Sequence, residues 1–545
     1  EDDYKTVYDP ATGMFSGESS FLDWREQSYP KWMDNSDIYR SENLGTNVVH
    51  YRAHRILADM ARLKNEPADV WLQRADSIRK GVNAHLWQAD KGYYAQYLYG
   101  RDALIASPRF EALGEALAIL FDVADADQAA AICARSPVTD FGTTCLYPQI
   151  PGIPPYHNNA VWPFVQSYWN WAAAKTGNEA ALTQGLGAIY RAAALFLTNY
   201  ENMVAETGDF LGTEINSDRM LWSMAGNLAM VHRVFMGMQF KPEGLYFNPV
   251  VPKAYGGVKT LSNFQYRDAV LDITVKGHGR SIRSATIDGK TTATPFIPAH
   301  WRGSHSIVIT LADDALPHQS IHSVANHFSP PTVLAEKKGN MLVWPAAEGA
   351  VAYRVYQNGQ LVATTRDRQF APTGADAFAS YQVSGVDAQG HEGFASEPVV
   401  FARQVQIIEI EDAAPASTLP YTNYSGKGFV EISLEKNRSL SLSVQVETAG
   451  EYLLDLRYAN GSGPWNTDNK CAIRSLTVND RYAGVLVFPQ RGKDEWSDWG
   501  YSNPRKVRLR AGANTVLIHF EDWNHNMNVD TNTAMLDALR VTRVE

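Results

Sequence analysis

The sequence predicts a multidomain protein: an α/α toroid at the N-terminal end, followed by all-β domains. Three observations predict this. The chain has 545 residues, too many for one compact core, so three or four domains are expected. Residues 1 to about 240 carry helical periodicity, interrupted by loops that alternate between short and long. After Phe240 the pattern becomes alternating polar and apolar residues with Gly and Pro breaks, which is the signature of strands.

In the helical part, "NVVHYRAHRILADMARL" places Val49, Ala53, Ile56, Leu57 and Met60 on one helix face, at offsets of 4, 7, 8 and 11 residues. "VWLQRADSIRKGVNAHLW" continues as a second helix. Two shorter helices are expected at about 109–122 and 125–135, and two more at about 158–175 and 179–200. The last, "DRMLWSMAGNLAMVHRVFMGM", repeats Leu221, Met224, Leu228, Val231, Phe235 and Met238. These seven helices pair as hairpins with elaborate loops at one end, which describes an α/α toroid over 1–240. A small β domain is expected at 241–318, and a polar, Pro-containing linker near 319–332. Within 330–402, an early strand with a Trp ("NMLVWP") and a later Tyr-x-Val-Tyr strand resemble a fibronectin type III module. Residues 404–545 form a further all-β segment, opening "IIEIEDA" and closing "MLDALRVTRV".

Composition excludes several classes. Net charge is −10 and no basic run exceeds a few residues, so nucleic acid and anionic membranes are poor partners. No apolar run approaches the roughly 20 residues of a membrane-spanning helix. The opening EDDYKTV is no signal peptide, though one could have been removed. Cys133 and Cys145 could form one disulfide and leave Cys471 free; none of the three has metal-ligand spacing, and the compartment stays open. Aromatic residues reach 11%, with 14 Trp and 26 Tyr. Such rings suit either sugar-stacking surfaces or Trp-lined sandwich cores.

In a helical toroid, paired catalytic carboxylates must come from loops at one rim. Inverting hydrolysis of a glycoside needs an acid and a base roughly 6.5–9.5 Å apart. Two loops qualify. One is the opening stretch "FSGESSFLDWREQSYPKWM", which crowds Glu18, Asp23 and Glu26 with Arg25, Trp24 and Trp32. The other is "ETGDFLGTEINSDRMLW", which carries Glu214; Asp218 there reads as a helix cap. "PGIPPYHNNAVWPFVQSYW" offers His157, Asn158, Asn159 and Trp162 as donors and a stacking face. "DKGYYAQYLYGRD" reads as a β-hairpin whose Tyr94 either walls a sugar pocket or seals the toroid.

"YHNNAVWPF" resembles the His-Asn-x-x-Val-Trp-Pro motif of six-hairpin glycosidases, the superfamily of glucoamylases, trehalases, glycogen-debranching glucosidases and glycoside hydrolase families 63, 65 and 78. "GESSFLDWREQSYPKWM" is similar to the acid-bearing segment of trehalases and family 63, except that Asp23 lies five residues after Glu18 where those families use four. That resemblance implies Asp23 as the acid, with Glu26 in reserve from an alignment to the glucoamylase segment. It implies Glu214 as the base, and Trp24, Arg25, Trp32, Tyr94, His157, Asn158 and Trp162 as sugar-subsite residues. The implied activity is inverting, exo-acting hydrolysis of α-linked sugars. A phosphorylase on the same fold and a non-catalytic glycan-binding protein are the alternatives. A full toroid has twelve helices, and the implied acid loop normally precedes the sixth. The seven seen would thus be the C-terminal ones, the rest being supplied by a missing N-terminal segment or a second chain.

Residues 404–545 resemble carbohydrate-binding modules of families 6 and 35, on "IEIEDA", "GEYLLDLRYANG", "AGANTVLIHF" and "LDALRV". That resemblance implies a structural Ca²⁺ held by Glu409, Glu411 and Asp537, and a ligand face that includes Trp465, Trp499, Trp523 and Asn526. It also implies a secreted, periplasmic or cell-surface location.

Overall fold

The computed structural model describes residues 1–19, 21–22, 24–372, 378–464 and 469–545. The helical region contains the helices Leu44–Leu63, Asp69–His85, Ala112–Leu120, Ala126–Arg135, Pro163–Thr176, Glu179–Phe196 and Leu221–Ala229, the last running into a π-helical turn, Met230–Phe235. Local chemistry sets their ends. Asp125 and Gln128 form a capping box, and the Asn178 side chain accepts the Ala181 amide. Pro163 opens its helix, and Gly177, at φ 75°, closes it in the left-handed conformation.

Four of these helices, Leu44–Leu63, Ala112–Leu120, Pro163–Thr176 and Leu221–Ala229, pack side by side in chain order. The intervening three flank them: Asp69–His85 packs on Leu44–Leu63, while Ala126–Arg135 and Glu179–Phe196 pack on Pro163–Thr176. The result is an arc of hairpins in which, among the described residues, each end helix packs against one neighbour of the row. The periodic face expected to be core in Leu44–Leu63 is therefore not core. Val49, Ala53, Ile56, Leu57 and Met60 are exposed, whereas Leu44, Val48, Tyr51, Ala58 and Ala61 are buried. At the other end Leu221, Trp222, Met224 and Leu228 are exposed as well. Periodicity finds an apolar stripe, but it cannot say which stripe the neighbouring helices cover.

Two smaller expectations are corrected. Asp218 does not cap the Leu221–Ala229 helix; Met220 holds that position without a side-chain bond, and Asp218 pairs with Arg219. Cys133 and Cys145 are buried but unbonded, and Cys471 is free as well.

A three-stranded sheet (Met238–Lys241, Gly244–Phe247, Phe296–Pro298) and a five-stranded sheet, in which Ala269–Lys276 and Gly303–Leu311 run parallel, follow the helices. Their inner residues, among them Leu245, Leu271, Ile273, Ile307 and Ile309, share one continuous hydrophobic core with the helices. Next come a three-stranded and a four-stranded sheet that enclose Leu342, Trp344, Tyr353, Val355, Tyr381 and Val383. Within 404–545, a six-stranded and a four-stranded sheet enclose a third core around Leu442, Leu454, Leu476, Leu486 and Leu539. Alternation is clean in Ser439–Val446, where every second residue is buried.

Candidate functional site

Three loops meet at one rim of the arc. The opening loop is pinned to the first helix: Gly17 donates to the Ser41 carbonyl, Asn43 Nδ2 to the Gly17 carbonyl, and Thr46 Oγ1 to the Glu18 carbonyl. The second loop joins it where the Asn158 amide donates to Gln27 Oε1 at 3.2 Å. The third joins the second through the strand pair Ala160–Val161 with Met203–Val204, and through the Glu214 amide donating to the Pro155 carbonyl at 2.8 Å.

Aromatic rings fill the junction. Phe21 meets His157, Trp162 and Phe164 edge-on, and Trp24 meets Tyr156 at 5.1 Å between ring centroids. Tyr156 in turn contacts His157 and Trp162, and its hydroxyl donates to Glu201 Oε1 at 3.0 Å. Glu201 is only 5% exposed, and its own amide donates to the Ser217 carbonyl. A buried carboxylate held by a phenol, beside an indole on the facing loop, is the chemically distinctive feature of the rim.

The sequence-derived residues fare unequally. Asp23 lies outside the described residues, between buried Leu22 and half-buried Trp24. Glu26 is exposed on the short helix Arg25–Ser28, where it lines a cavity of about 360 Å³ with Asp34, Asn35, Tyr458 and Arg491 of the C-terminal side. Arg25 lines the same cavity and binds Glu18 at 2.8 Å and also Asn35, so its guanidinium braces the loop. Glu214 sits on the third loop with its side chain exposed.

Several expected sugar contacts are corrected. Trp32 donates its indole N–H to the Ala395 carbonyl at 2.8 Å and packs near Tyr99, so it joins the helical domain to the 330–402 sandwich. Tyr94 is fully buried, with its hydroxyl donating to Asn83 Oδ1, and seals the core. Asn158 is buried and exchanges hydrogen bonds with the backbone of Ile150, which fixes its own loop. Trp162 is fully buried and donates to the Tyr156 carbonyl, so neither ring face is open to a sugar. His157 is 2% exposed, and burial pushes its imidazole down to about 4, leaving it neutral. These residues shape the site from behind. Glu201 and Tyr156 were missed because Glu201 falls just past the predicted end of the 179–200 helix; the polar run Asn199–Tyr200–Glu201–Asn202 was the available signal.

In the C-terminal module Trp465 lies outside the described residues. Trp499 is pinned by its indole N–H on the Thr422 carbonyl and packs on Phe429. Trp523 carries the Lys5 ammonium 4.1 Å from its ring centre, and Asn526 Nδ2 donates to the Cys471 and Thr531 carbonyls. All three make contacts within the chain and all three remain partly exposed. Glu409 and Asp537 both receive the Ser425 hydroxyl, Glu411 Oε1 receives the Lys427 amide, and Arg457 pairs with Asp537. Burial, with Glu411 and Asp537 nearby, raises the Glu409 carboxyl. Glu411 Oε2 is buried and has no hydrogen-bond partner among the described residues.

Comparison with known proteins bears out the six-hairpin resemblance. Residues 17–223 match the model of the mannosylglycerate hydrolase MGH1-like glycoside hydrolase domain. The cycloisomaltooligosaccharide glucanotransferase of Niallia circulans is 29% identical over 129 residues, 23% of this chain and 13% of that protein. The 1,6-alpha-glucosyltransferase of Sporosarcina globispora is 30% identical over 134 residues, 24% of this chain and 10% of that one. The matches thus span only 10–13% of the length of these curated relatives. Among solved structures, a family 35 carbohydrate binding module from Clostridium thermocellum is 22% identical, covering 26% of this chain and 98% of that one, with a TM-score of 0.20.

Proposed function

We propose, from the premise that residues 17–223 carry a glycoside hydrolase domain, that this protein is an inverting, exo-acting hydrolase of α-linked oligo- or polysaccharides. The observation that supports it best is the rim geometry. The opening loop and the loop at 199–220 meet across Tyr156, which touches Trp24 of the first and binds Glu201 of the second. In this reading Asp23 protonates the glycosidic oxygen, with Glu26 as its reserve, and a carboxylate of the third loop takes a proton from the attacking water. Glu214 was the base expected from sequence. Glu201 suits the role better, because a base needs a fixed orientation and shelter from bulk water, and Glu201 has both.

The test is hydrolysis of a panel of α-linked oligosaccharides by Glu201→Gln and Glu214→Gln, with the anomer formed followed by NMR. Glu201→Gln is expected to lose about 10²–10⁴-fold in kcat, with the wild-type fold retained and Glu214→Gln near wild type. The reverse order would return the base role to Glu214. Wild-type turnover in both variants would reject the mechanism. Release of product only with added phosphate would favour the phosphorylase alternative, and binding without turnover a glycan-binding role.

The arc of hairpins is read as the C-terminal part of an α/α toroid, and the sandwich at 330–402 as a fibronectin type III-like module. The exposed stripes on Leu44–Leu63 and Leu221–Ala229 are surfaces that further helices, from a preceding segment or a second chain, would cover. The 404–545 module is proposed to bind carbohydrate. Glu409, Glu411 and Asp537 are proposed to hold a structural Ca²⁺: Glu409 and Asp537 are bridged by the Ser425 hydroxyl, and Glu411 acts on the Glu409 carboxyl from nearby, although the three do not converge as tightly as a formed ligand set. Among the described residues no helix is long and apolar enough to cross a membrane, and a secreted, periplasmic or cell-surface location is proposed.

A further inference from the structure

Behind the second rim loop, where Asn326 Nδ2 donates to Asn159 Oδ1 at 2.7 Å, the segment after the small β domain crosses between the helical domain and the 330–402 sandwich. It is bound to the helical side by the Gln149 amide donating to the His327 carbonyl at 2.8 Å, and by the Ser329 amide donating to the Gln149 carbonyl at 2.9 Å. On its other side His327 meets a tight turn of the sandwich. His327 Nε2 lies 2.6 Å from Asp387 Oδ2, and His391 Nδ1 lies 3.2 Å from the same oxygen. The two imidazole rings are 4.4 Å apart. The three ligand atoms all lie within 4.8 Å of one another, and this is the one such His/Cys/Asp/Glu group found among the described residues.

We propose that His327, Asp387 and His391 form a site for a zinc-like divalent ion that clasps the linker to the sandwich. Three features carry it. The donors are two imidazoles and a carboxylate, a set that suits late first-row divalent ions and not calcium, which prefers oxygen alone. Asp387 Oδ2 lies 2.6 and 3.2 Å from the two imidazole nitrogens, at or just below the roughly 3.3 Å that separates ligand atoms around a tetrahedral zinc with bonds of about 2.0–2.1 Å, so a small outward shift of His327 admits the ion. The carboxylate is also pre-aimed: Asp387 Oδ1 is held by the Gln389 and His391 amides at 2.9 and 2.8 Å, which leaves Oδ2 to face the imidazoles. The Asp387 side chain is 8% exposed and those of His327 and His391 are 32% and 25% exposed, so the buried ligand sits at the back and the histidines at the mouth. A neighbouring cavity of about 490 Å³, lined in part by His391, Lys91, Tyr93 and His322, leaves room for a water as the fourth ligand. His327 is contributed by the linker and the other two ligands by the sandwich. Binding would therefore add a cross-link between parts of the chain that are distant in sequence.

The full chain, stripped with a chelator, should retain one equivalent of Zn²⁺ through gel filtration and melt at higher temperature with it. Equimolar Ca²⁺ should not displace it. His391→Ala and His327→Gln should each lose the equivalent and the thermal shift, whereas Asp537→Ala should keep both. Co²⁺ loaded into the wild-type chain should give visible d–d bands that the histidine variants lack; this reads the site even where a variant is less stable. Absence of retained Zn²⁺ and of Co²⁺ bands in the wild type would overturn the proposal. So would equal Zn²⁺ retention in the histidine variants.

Discussion

At the residue scale, burial decides what each polar side chain can do. Glu201 and Glu214 are both loop carboxylates, yet one is sheltered and held by Tyr156 and the other is exposed. His157 shows the same effect on a proton. Its value falls from the ordinary 6.5 to about 4 because charging it would strand a cation among Phe21, Tyr156 and Trp162. Between those two values the unfolded chain takes up a proton that the folded chain refuses. The contribution of His157 to stability is therefore expected to fall as pH drops from about 6.5 towards 4 and to level off below that, against the opposite contribution of buried carboxyls such as Glu111, which burial raises to about 7. His54, also lowered to about 4, adds to the slope. Melting temperature followed across that window should decline less steeply in His157→Gln than in wild type; an unchanged slope would show that His157 does not contribute. Tyr94→Phe, which removes the hydroxyl bond to Asn83, should cost about 1 kcal/mol in denaturant unfolding and leave turnover intact.

At the element scale, the Leu44–Leu63 helix carries two apolar stripes. Leu44, Val48, Tyr51, Ala58 and Ala61 pack inward, while Val49, Ile56, Leu57 and Met60 face solvent. Met60→Lys should change the stability of this chain by no more than about 0.5 kcal/mol and raise its solubility. Leu44→Ala should cost about 2–5 kcal/mol, because it opens a cavity in the main core. Equal costs for the two changes would mean that the outer stripe is buried in solution. The same experiment on a longer chain containing a covering segment should make Met60→Lys costly, since a charge would then be buried.

At the scale of the whole molecule, the β modules are docked onto the helical region. Trp32 reaches Ala395, Arg101 bridges Asp37 and Glu397, and Asn35 Nδ2 donates to the Gln490 carbonyl. The Asp37 carboxylate is nearly buried, so its Arg101 partner compensates a desolvated charge. Trp32→Ala is expected to cost about 2 kcal/mol and to expose the segment near 330–402 to proteolysis without unfolding the C-terminal module. Cleavage at wild-type rates would argue that the contact is dispensable. If the C-terminal carboxylates hold Ca²⁺, raising free Ca²⁺ to 100 times Kd should stabilise that module by about 2.7 kcal/mol, and chelation should reverse it.

The sequence by itself determined the helical-then-β order, the positions of seven helices within a few residues, the separate all-β segments and the glycoside hydrolase resemblance, which the match over 17–223 bears out. These are legible because periodicity and turn residues are local, and because motif spacing is written along the chain. Only the tertiary structure decided which stripe of an edge helix is core, that Trp32 and Trp162 are spent on packing, and that Glu201 meets Tyr156 across 45 residues. It alone brought His327 to Asp387 and His391, 60 and 64 positions away. Burial and partner choice depend on what folds back from elsewhere in the chain, and no local pattern records that.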